Sequence, residues 1–242
     1  MKNEKYKRIT ILIMAVSIIF TSSIMYTVSK VKVERQDKIK IEKIAKVSVD
    51  LNKKKENQRY ITKEQKETNM YIYYPYSDSK EFNKNINDIL DKYKDIIKSS
   101  REKNWNLEII YNVDEYDEKI KSFVFNIKIN DGGNYPITHI ETITFDFEKN
   151  KILNLKDILK DYNSQIYDIS NICYNELIQN ENVKSFGNID KVKDGTKYYK
   201  LNKYSLEKNV LIIFFERYAV APYVVGELNV CIPLNEIEIQ DL

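Results

Sequence analysis

The sequence predicts an α+β protein in which two subdomains, each an antiparallel sheet with a helix, follow an N-terminal transmembrane helix. Three observations lead to this prediction. The chain begins with a long uncharged segment, two later segments have apolar residues at helical spacing, and alternating β-branched stretches flank each of them. Helices separated by runs of antiparallel strands are typical of the α+β class.

The transmembrane prediction depends on residues 9–28, a run of 20 residues without a charged side chain. A helix of that length spans about 30 Å, the thickness of the hydrocarbon core of a bilayer. The alternative is a signal peptide that is cleaved near Ser23 or Ser29. We favour an anchor, with residues 1–8 as a short cytoplasmic tail, because the apolar segment continues to a full span. The sequence therefore predicts a single-pass protein of the cell membrane whose bulk is extracytoplasmic.

Charge is distributed unevenly along the chain. Residues 29–66 carry 13 basic and 6 acidic side chains, whereas residues 67–242 carry 22 and 29, so a net charge of +7 is followed by one of −7. We interpret residues 29–59 as a basic stalk that can lie against anionic lipids or wall polymers. Within it, residues 45–51 alternate and are predicted to be extended. The acidic part lacks the basic face that phosphate binding needs, so no nucleic-acid partner is expected.

The first subdomain is predicted over residues 60–131. Its strands are the segments that are aromatic and β-branched or that alternate between apolar and polar residues: 69–76, 106–113 and 121–130. The last two are joined by the acidic turn 114–119, which predicts an antiparallel hairpin. Between the first two, apolar residues recur on one helical face over 80–101, and Ser79 or Asp78 can cap the helix that this spacing predicts.

The second subdomain is predicted over residues 132–242, after a glycine-containing turn. Its helix is predicted over 155–179, with an interruption near 161–163. Its predicted strands are 137–147, 196–204, 209–217 and 227–232. A loop over 218–226 and a short terminal helix over 233–242 complete it. The residues expected to be buried in the two subdomains are Ile86, Ile89, Phe145, Ile169, Ile172, Ile212 and Phe214.

The chain has few residues suited to covalent or metal chemistry. Two cysteines and one histidine exclude a disulfide-dense scaffold, a Cys-rich zinc site and a three-histidine metal site. The sequence contains no nucleophile-elbow, zincin, P-loop or dinucleotide-binding motif. We therefore predict no catalytic residue, no metal ligand and no cofactor, and we expect the chain not to be an enzyme.

The individual reactive residues have structural explanations. Cys173 and Cys231 fall on predicted buried faces, and a disulfide between them is an open alternative outside the cell. His139 lies in an alternating strand, where a strand-face residue with a hydrogen-bond partner is the favoured interpretation. Four carboxylates over residues 114–118 match no defined calcium loop, which favours a solvated turn over a Ca²⁺ site.

Tyrosine is the residue type that indicates binding. The chain has 19 tyrosines, and a tyrosine offers a flat apolar face with a hydroxyl, which suits carbohydrate and protein surfaces. The sequence RYAVAPYVVG forms the loop after the 209–217 strand and is the favoured place, because loops often carry function. The candidate binding residues are Glu216, Arg217, Tyr218, Pro222 and Tyr223. The alternative is that this loop only closes the sheet against the terminal helix.

Several motifs over residues 60–242 resemble a known family. They are YIYYP at 71–75, NIN at 85–87, the glycine pair at 132–133, TFD at 144–146, LKDIL at 155–159, YAVAPY at 218–223 with Gly226, and IPL at 232–234. Together they resemble the extracytoplasmic domain of the anti-sigma-V factor family (RsiV-like), which also precedes the catalytic domain of some membrane-anchored peptidoglycan deacetylases. The resemblance implies a single-pass protein of Gram-positive bacteria, an α+β fold and, in the anti-sigma factor, recognition of lysozyme.

The chain departs from this family at two places. The anti-sigma segment of the family lies before the span, where this sequence has eight residues. A histidine that often follows the glycine pair corresponds here to Tyr135. We therefore expect neither sigma-factor binding nor a role that depends on that histidine.

The favoured function is that of a non-catalytic, membrane-anchored domain in envelope sensing or protection. It would bind a cell-wall glycan such as peptidoglycan, or a wall-acting protein such as lysozyme. The alternatives are an enzyme that acts on cell-wall polymers through paired carboxylates and a purely structural envelope protein. A domain with a net charge of −7 is expected to attract a basic partner, chiefly by raising the association rate.

Overall fold

The structure of the chain is a computed structural model that describes residues 59–99 and 105–242. The predictions for the cytoplasmic tail, for the transmembrane segment 9–28 and for nearly all of the basic stalk, including the extended segment 45–51, lie outside these residues. Among the residues that the structure describes, no helix is both long and apolar enough to cross a membrane.

The described chain forms two β-sheets and five α-helices, which confirms the α+β class. Its strands are β1 (Ile61–Glu67), β2 (Met70–Tyr76), β3 (Asn106–Glu115), β4 (Ile120–Asn130), β5 (Ile137–Asp146), β6 (Lys151–Ile152), β7 (Tyr204–Glu207), β8 (Val210–Phe215) and β9 (Leu228–Pro233). Its helices are α1 (Lys80–Ser99), α2 (Leu155–Ile158), α3 (Tyr162–Gln179), α4 (Glu181–Phe186) and α5 (Ile189–Gly195). Short 3-10 turns occur at Tyr198–Lys200, Tyr223–Val225 and Leu234–Glu236.

The larger sheet contains six strands in the order in which they occur along the chain. All neighbouring pairs are antiparallel except β2 and β3, which run parallel with Met70 opposite Leu107. The expectation of a purely antiparallel sheet is therefore wrong at this pair. α1 connects the two strands, and a helical crossover returns the chain to the end of the sheet from which the first strand started.

α1 covers one face of this sheet. Its buried residues recur every three or four positions, as an amphipathic helix requires: Phe82, Ile86, Leu90, Tyr93 and Ile97. They pack against buried strand residues that include Ile72, Ile109, Phe123, Phe125 and Phe145. Ser79 caps the helix, since its Oγ accepts a hydrogen bond from Phe82 N at 3.0 Å. The predicted burial of Ile86 and Phe145 is confirmed, whereas Ile89 is only half-buried.

β5 belongs to the larger sheet, so the sequence-based boundary between residues 131 and 132 does not separate two sheets. β5 pairs with β4 from Ile129 opposite Ile137 to Ile120 opposite Asp146. The turn between them is a hairpin connection in which Gly132 adopts φ 84°, a left-handed conformation that glycine reaches without strain. A turn signal marks a change of chain direction, and it carries no information on which sheet the next strand joins.

The smaller sheet contains β7, β8 and β9 in antiparallel order. With α2 and α3 it encloses a second core, and β7 also packs against β4 and β5. On β8 the buried side chains are Leu211, Ile213 and Phe215, while Ile212 and Phe214 are half-buried. The prediction that Ile212 and Phe214 form the buried face of this strand is therefore wrong. Because all six residues of β8 are apolar, the sequence contains no alternation that identifies the buried face.

The segment between α3 and β7 differs most from the sequence-based assignment. The strand predicted over 196–204 is wrong, because residues 196–203 contain a 3-10 turn at Tyr198–Lys200 and no strand, and β7 begins only at Tyr204. Two short helices precede it. Asn180 and Asn188 start these helices, since each side chain accepts a hydrogen bond from the backbone N–H two residues further on.

The terminal helix predicted over 233–242 is also wrong. Only the 3-10 turn Leu234–Glu236 forms, and the last residues run alongside α2. Gln240 N donates a hydrogen bond to Ile158 O at 2.8 Å, and Ile239 forms a β-bridge with Leu159. Through these contacts the last residues form backbone hydrogen bonds with the α2 region in an extended conformation, instead of the bonds that a helix would form within itself.

The helix predicted over 155–179 is divided into α2 and α3, in agreement with the expected interruption. Ile169 is buried as predicted, and Ile172 is half-buried. The two cysteines are free. Cys173 is buried on α3, but the predicted burial of Cys231 is wrong, because its neighbours on β9 face the core and alternation turns Cys231 outward.

Candidate binding site

The loop that follows β8 carries an exposed aromatic side chain on a strained turn. Tyr218 has φ 66°, in the left-handed region that residues other than glycine rarely adopt. Its side chain is 59% exposed. Val220 and Ala221, a few residues further on, are buried in the second core. The loop is therefore anchored next to the residue that it exposes.

Gly195, at the end of α5, allows this loop to lie against the helix. A Cβ atom at this position would lie 2.3 Å from the Ala219 carbonyl oxygen and 2.5 Å from Val220 Cγ1. A side chain has no room there, so the close approach of the two backbones requires glycine. The position of the loop thus depends on α5, a helix that the sequence did not indicate.

Three tyrosines form a continuous surface that we call the aromatic strip: Tyr135, Tyr223 and Tyr218. The ring centroids of Tyr135 and Tyr223 are 5.6 Å apart, and those of Tyr223 and Tyr218 are also 5.6 Å apart. Tyr223 is half-buried, and its hydroxyl donates a hydrogen bond to Pro136 O at 3.0 Å. Tyr135 is 70% exposed. The strip therefore presents two open rings on either side of a fixed one.

Two cations border the aromatic strip. The guanidinium carbon of Arg217 lies 4.6 Å from the centroid of the Tyr223 ring, and Lys191 Nζ lies 5.0 Å from the centroid of the Tyr218 ring. Both distances are within cation–π range. Arg217 Nε lies 3.9 Å from Glu227 Oε1 and has no hydrogen-bond partner among the described residues. That nitrogen is buried, so its unpaired donor is not open to a ligand at the strip.

Glu216 is adjacent to the strip in sequence but binds the larger sheet. Its Oε1 accepts hydrogen bonds from Lys203 Nζ at 2.6 Å and from Ile140 N at 3.0 Å, and His139 Nδ1 lies 3.6 Å away. Burial by itself would raise the pKa of this carboxyl. The contacts with His139, Lys203 and the Ile140 N–H outweigh burial and lower the pKa to about 2. Glu216 is therefore ionised and ties the base of the loop to β5.

Glu141 on β5 continues this ion network toward α1. Its Oε1 accepts hydrogen bonds from Lys92 Nζ at 2.5 Å and from the Tyr93 hydroxyl at 2.7 Å, while its Oε2 lies 3.8 Å from Lys203 Nζ. Burial by itself would raise the pKa of Glu141, but these donors outweigh it and lower the pKa. Lys203 thus joins two carboxylates, and the network couples α1, β5 and the loop.

The structure separates the candidate residues that the sequence indicated. Arg217, Tyr218 and Tyr223 lie together at the strip. Pro222 is half-buried and directly precedes the 3-10 turn that contains Tyr223. Glu216 belongs to the ion network, in which it bonds to Ile140 N and Lys203 Nζ.

Sequence reasoning missed Tyr135 and Lys191. Tyr135 stands where the similar family often has a histidine. Nothing in the sequence placed this tyrosine near Tyr223, which lies 88 positions further along the chain. Tyr135 lies just before β5, and Tyr223 lies in the loop after β8. The two tyrosines meet because Glu216, at the end of β8, accepts a hydrogen bond from Ile140 N on β5. Such a contact depends on tertiary packing and leaves no local sequence signal.

Exposed apolar side chains adjoin the strip, and we call them the apolar group: Phe186, Ile189 and Val224. Val224 directly follows Tyr223, and α4, which ends in Phe186, packs against the turn Tyr223–Val225. Ile189 begins α5. Exposed apolar groups that lie together often mark interaction surfaces. The strip and the apolar group therefore offer stacking and apolar contact next to two cations.

Residues 59–99 and 105–242 contain two free cysteines, of which Cys231 is exposed and Cys173 is buried. Burial raises the pKa of the Cys173 thiol to about 12, so it is protonated and unreactive at neutral pH. No three His, Cys, Asp or Glu side chains of this part of the chain lie close enough to share a metal ion. What this part offers a ligand is stacking, hydrogen bonding and ion pairing.

The loop lies in the segment that matches a known family. Residues 156–235 match the family described as "Protein of unknown function (DUF3298)". This DUF3298 segment begins in α2 and ends in the 3-10 turn after β9. It includes Tyr218 and Tyr223, whereas Tyr135 precedes it. The strip therefore combines residues of the DUF3298 segment with one residue of the larger sheet.

The chain is also similar to a curated enzyme, the peptidoglycan-N-acetylmuramic acid deacetylase PdaC of Bacillus subtilis strain 168. The two are 24% identical over 149 residues. The match covers 62% of this chain and 32% of the deacetylase, so this chain spans about a third of the length of that relative. The similarity relates part of a peptidoglycan deacetylase to this chain.

Two crystal structures of DUF3298 family proteins resemble the fold. The protein from Bacteroides fragilis NCTC 9343 is 14% identical with a TM-score of 0.50, and the match covers 75% of this chain and 92% of that one. The protein from Pseudomonas aeruginosa PAO1 is 15% identical with a TM-score of 0.53, and the match covers 75% of this chain and 93% of that one. At these identities the likeness concerns the fold alone.

Proposed function

We propose that this chain is a membrane-anchored, non-catalytic protein whose extracytoplasmic domain binds a cell-wall glycan through the aromatic strip. The observation that carries the proposal is the conformation of Tyr218, which is both strained and exposed. A left-handed residue other than glycine costs about 1–2 kcal/mol. Residues held in such conformations cluster at ligand-binding and active sites, where the strain serves function.

The chemistry of the strip suits peptidoglycan. Tyrosine rings can pack against the C–H faces of sugar rings, and their hydroxyls can bind sugar hydroxyls. Arg217 and Lys191 lie beside the rings, where they can pair with the carboxylates of muramic acid and of peptide stems. The similarity to part of a peptidoglycan deacetylase supports the same class of ligand.

Tyr218→Gly tests this proposal, because glycine makes the same turn without strain and removes only the ring. The full chain, purified in detergent, is sedimented with insoluble peptidoglycan. We expect the bound fraction to fall at least about fivefold, because hot-spot aromatics contribute 1 kcal/mol or more. The melting temperature should be unchanged or slightly higher.

Tyr199→Ala is the matched control, since Tyr199 is also 59% exposed but lies in a different 3-10 turn. It should bind peptidoglycan like the wild type. If Tyr218→Gly binds as well as the wild type, or if both variants lose binding equally, the strip is not the glycan site.

The extracytoplasmic location is part of the proposal and depends on the uncharged segment 9–28. Protease treatment of intact cells should cleave residues 60–242. Protection until the membrane is broken would contradict this orientation. The non-catalytic assignment predicts that incubation with peptidoglycan releases neither reducing sugar nor acetate; release of either would favour the carboxylate-enzyme alternative.

A wall-acting protein such as lysozyme is the second candidate partner. The net charge of −7 over residues 67–242 favours a basic protein, and the apolar group offers exposed apolar side chains for contact with it. The resemblance to the anti-sigma-V factor family supports the same partner. The association rate with lysozyme should fall steeply as salt rises. Binding that is absent, or that does not depend on salt, would exclude this candidate.

A further inference from the structure

The apolar group beside the aromatic strip is exposed to an unusual degree. Phe186 is 56% exposed, Ile189 is 66% exposed and Val224 is 70% exposed. Tyrosines apart, no other large apolar side chain of the described residues is more than half exposed. The most exposed apolar side chains of this part of the chain therefore lie together, and apolar side chains that cluster in this way mark interaction surfaces.

The elements that carry these side chains are themselves anchored in the fold. Phe186 ends α4 and Ile189 begins α5, and each helix has a buried residue on its inner side, Val183 and Val192. Val224 lies in a 3-10 turn that α4 contacts. Because the helices and the turn are held from within, the three side chains stay exposed unless a partner covers them.

A bilayer is the partner that the size of this surface favours. A stable protein interface buries about 800 Å² on each partner, which is more than three side chains supply. A domain that is tethered to a membrane needs a much weaker contact, because the tether keeps it at a high effective concentration near the bilayer. Only 30 residues separate the predicted span 9–28 from Arg59. They reach at most about 100 Å, so the domain stays close to the membrane.

The charges near the apolar group allow it to approach lipid headgroups. Residues 181–200, which include α4 and α5, carry five basic and three acidic side chains, a net charge of +2, although residues 67–242 together have a net charge of −7. The acidic turn 114–119 lies at one end of β4, and Tyr135 of the strip lies beyond the other end. A strand of this length spans about 35 Å. That distance exceeds the Debye length of about 8 Å, so the charge of the acidic turn is screened.

We propose that the apolar group inserts into the outer surface of the membrane that carries this chain. Phe186, Ile189 and Val224 then lie at the boundary between headgroups and acyl chains, where apolar side chains are buried about 5–10 Å deep. The rings of the strip lie beside them at the level of the headgroups, where tyrosine is enriched in membrane proteins. The inference rests on the anchor of the proposed function and goes beyond it, since a second membrane contact orients the domain and places a glycan on the strip at the membrane surface.

The test uses the full chain in nanodiscs of phosphatidylcholine and phosphatidylglycerol, with a nitrobenzoxadiazole probe on one cysteine. Cys231 is first replaced by serine, because it is the exposed thiol, and the buried Cys173 stays unlabelled. The probe is attached at Val224→Cys or, as the matched control, at Glu118→Cys in the exposed acidic turn. Doxyl groups on the acyl chains should lower the fluorescence at position 224 at least about twofold, because that probe enters the bilayer. The fluorescence at position 118 should stay unchanged.

The double variant Phe186→Ser/Ile189→Ser tests the same contact by its loss. It should abolish the quenching at position 224, because the two remaining anchors of the apolar group become polar. Tyr167→Ser is the matched control, since Tyr167 is 52% exposed on α3 and belongs to neither the strip nor the apolar group; it should leave the quenching unchanged. Absent quenching at position 224, equal quenching at position 118, or quenching that survives in the double variant would overturn the inference.

The outcomes also separate this inference from the proposed function. If the chain stays in the nanodisc but position 224 is not quenched, the anchor stands and the membrane contact is wrong. Loss of lysozyme binding in the double variant would then assign the apolar group to a protein partner. If the chain does not insert into nanodiscs at all, the anchor and the contact are both wrong. If the contact is observed but Tyr218→Gly keeps full peptidoglycan binding, the contact stands and the strip is wrong.

Discussion

Glu216→Gln is the substitution that most directly tests the ion network beneath the binding loop. Glu216 accepts hydrogen bonds from Lys203 and from the backbone N–H of Ile140, and His139 lies nearby. Glutamine keeps the shape and one acceptor oxygen, so the bond from Ile140 can persist. The variant therefore removes the charge and leaves the packing nearly unchanged.

The pKa of Glu216 gives the expected magnitude. It is lowered from an ordinary 4.5 to about 2. Since one pKa unit corresponds to about 1.4 kcal/mol, this difference corresponds to about 3 kcal/mol of stability at neutral pH. A glutamine that retains the Ile140 bond recovers part of it, so we expect Glu216→Gln to lower the free energy of unfolding by about 2–3 kcal/mol at pH 7.

The loss should depend on pH in a defined direction. A carboxyl whose pKa is lower in the folded state stabilises the protein above the unfolded pKa, and this stabilisation disappears as pH falls through the folded pKa. The difference between wild type and Glu216→Gln should therefore be constant above about pH 5. It should shrink between pH 4.5 and about 2.

Urea denaturation of the full chain at pH 7, 4 and 2.5, followed by tryptophan fluorescence, measures this difference. Glu236→Gln is the control, because Glu236 is exposed and has no partner among the described residues; it should change stability by less than about 0.5 kcal/mol. A loss in Glu216→Gln that is the same at all three pH values would refute the electrostatic argument. So would a loss at pH 7 no larger than that of the control.

Three further predictions concern the loop and the cysteines. Gly195→Ala should lower the free energy of unfolding by about 1–3 kcal/mol and weaken peptidoglycan binding, because the new methyl group would collide with the Ala219 carbonyl oxygen. Thermal denaturation measures the stability and sedimentation measures the binding. An unchanged melting temperature would contradict the close packing of Gly195 against the loop. Tyr223→Phe should cost about 1 kcal/mol through loss of the hydroxyl hydrogen bond, and Tyr223→Ala about 3–5 kcal/mol if the ring is a packed part of the fold. A stable Tyr223→Ala protein that still binds peptidoglycan would remove this residue from the site. Finally, iodoacetamide at pH 8 should modify Cys231 and leave Cys173 unmodified until urea is added, because Cys173 is buried and its pKa is raised to about 12. Mass spectrometry measures the labelling of each cysteine. Equal labelling of the two without urea would contradict the burial of Cys173.

The elements with a strong periodic pattern were predictable from the sequence. α1 has a clear apolar stripe and a serine cap, and β3 and β4 alternate around an acidic turn. β1 was missed because it is polar apart from Ile61 and none of its residues is buried, so its sequence lacks the alternation of a half-buried strand. β8 was found but with the wrong face, because every residue in it is apolar.

The candidate site was predictable only in its local part. The loop with Tyr218 and Tyr223 could be found because proline, glycine and tyrosine mark it. Its inward-facing member, Glu216, could not be distinguished from a ligand-binding residue, since its partners Lys203 and Ile140 belong to other segments. Tyr135 joins the site through tertiary packing alone, which no local pattern encodes.

The position of β1 has a consequence for how the domain responds to force. β1 is an edge strand that pairs only with β2, and none of its residues is buried. A pull applied at Ile61 would separate the pairs one at a time, beginning opposite Tyr76, instead of shearing all of them together. Complete detachment would release about 24 Å of extended chain. Detachment would also remove Tyr60 from its contact with Phe123 in the first core. The core beneath the binding loop contains no residue of β1, so that loop could keep its geometry under the load.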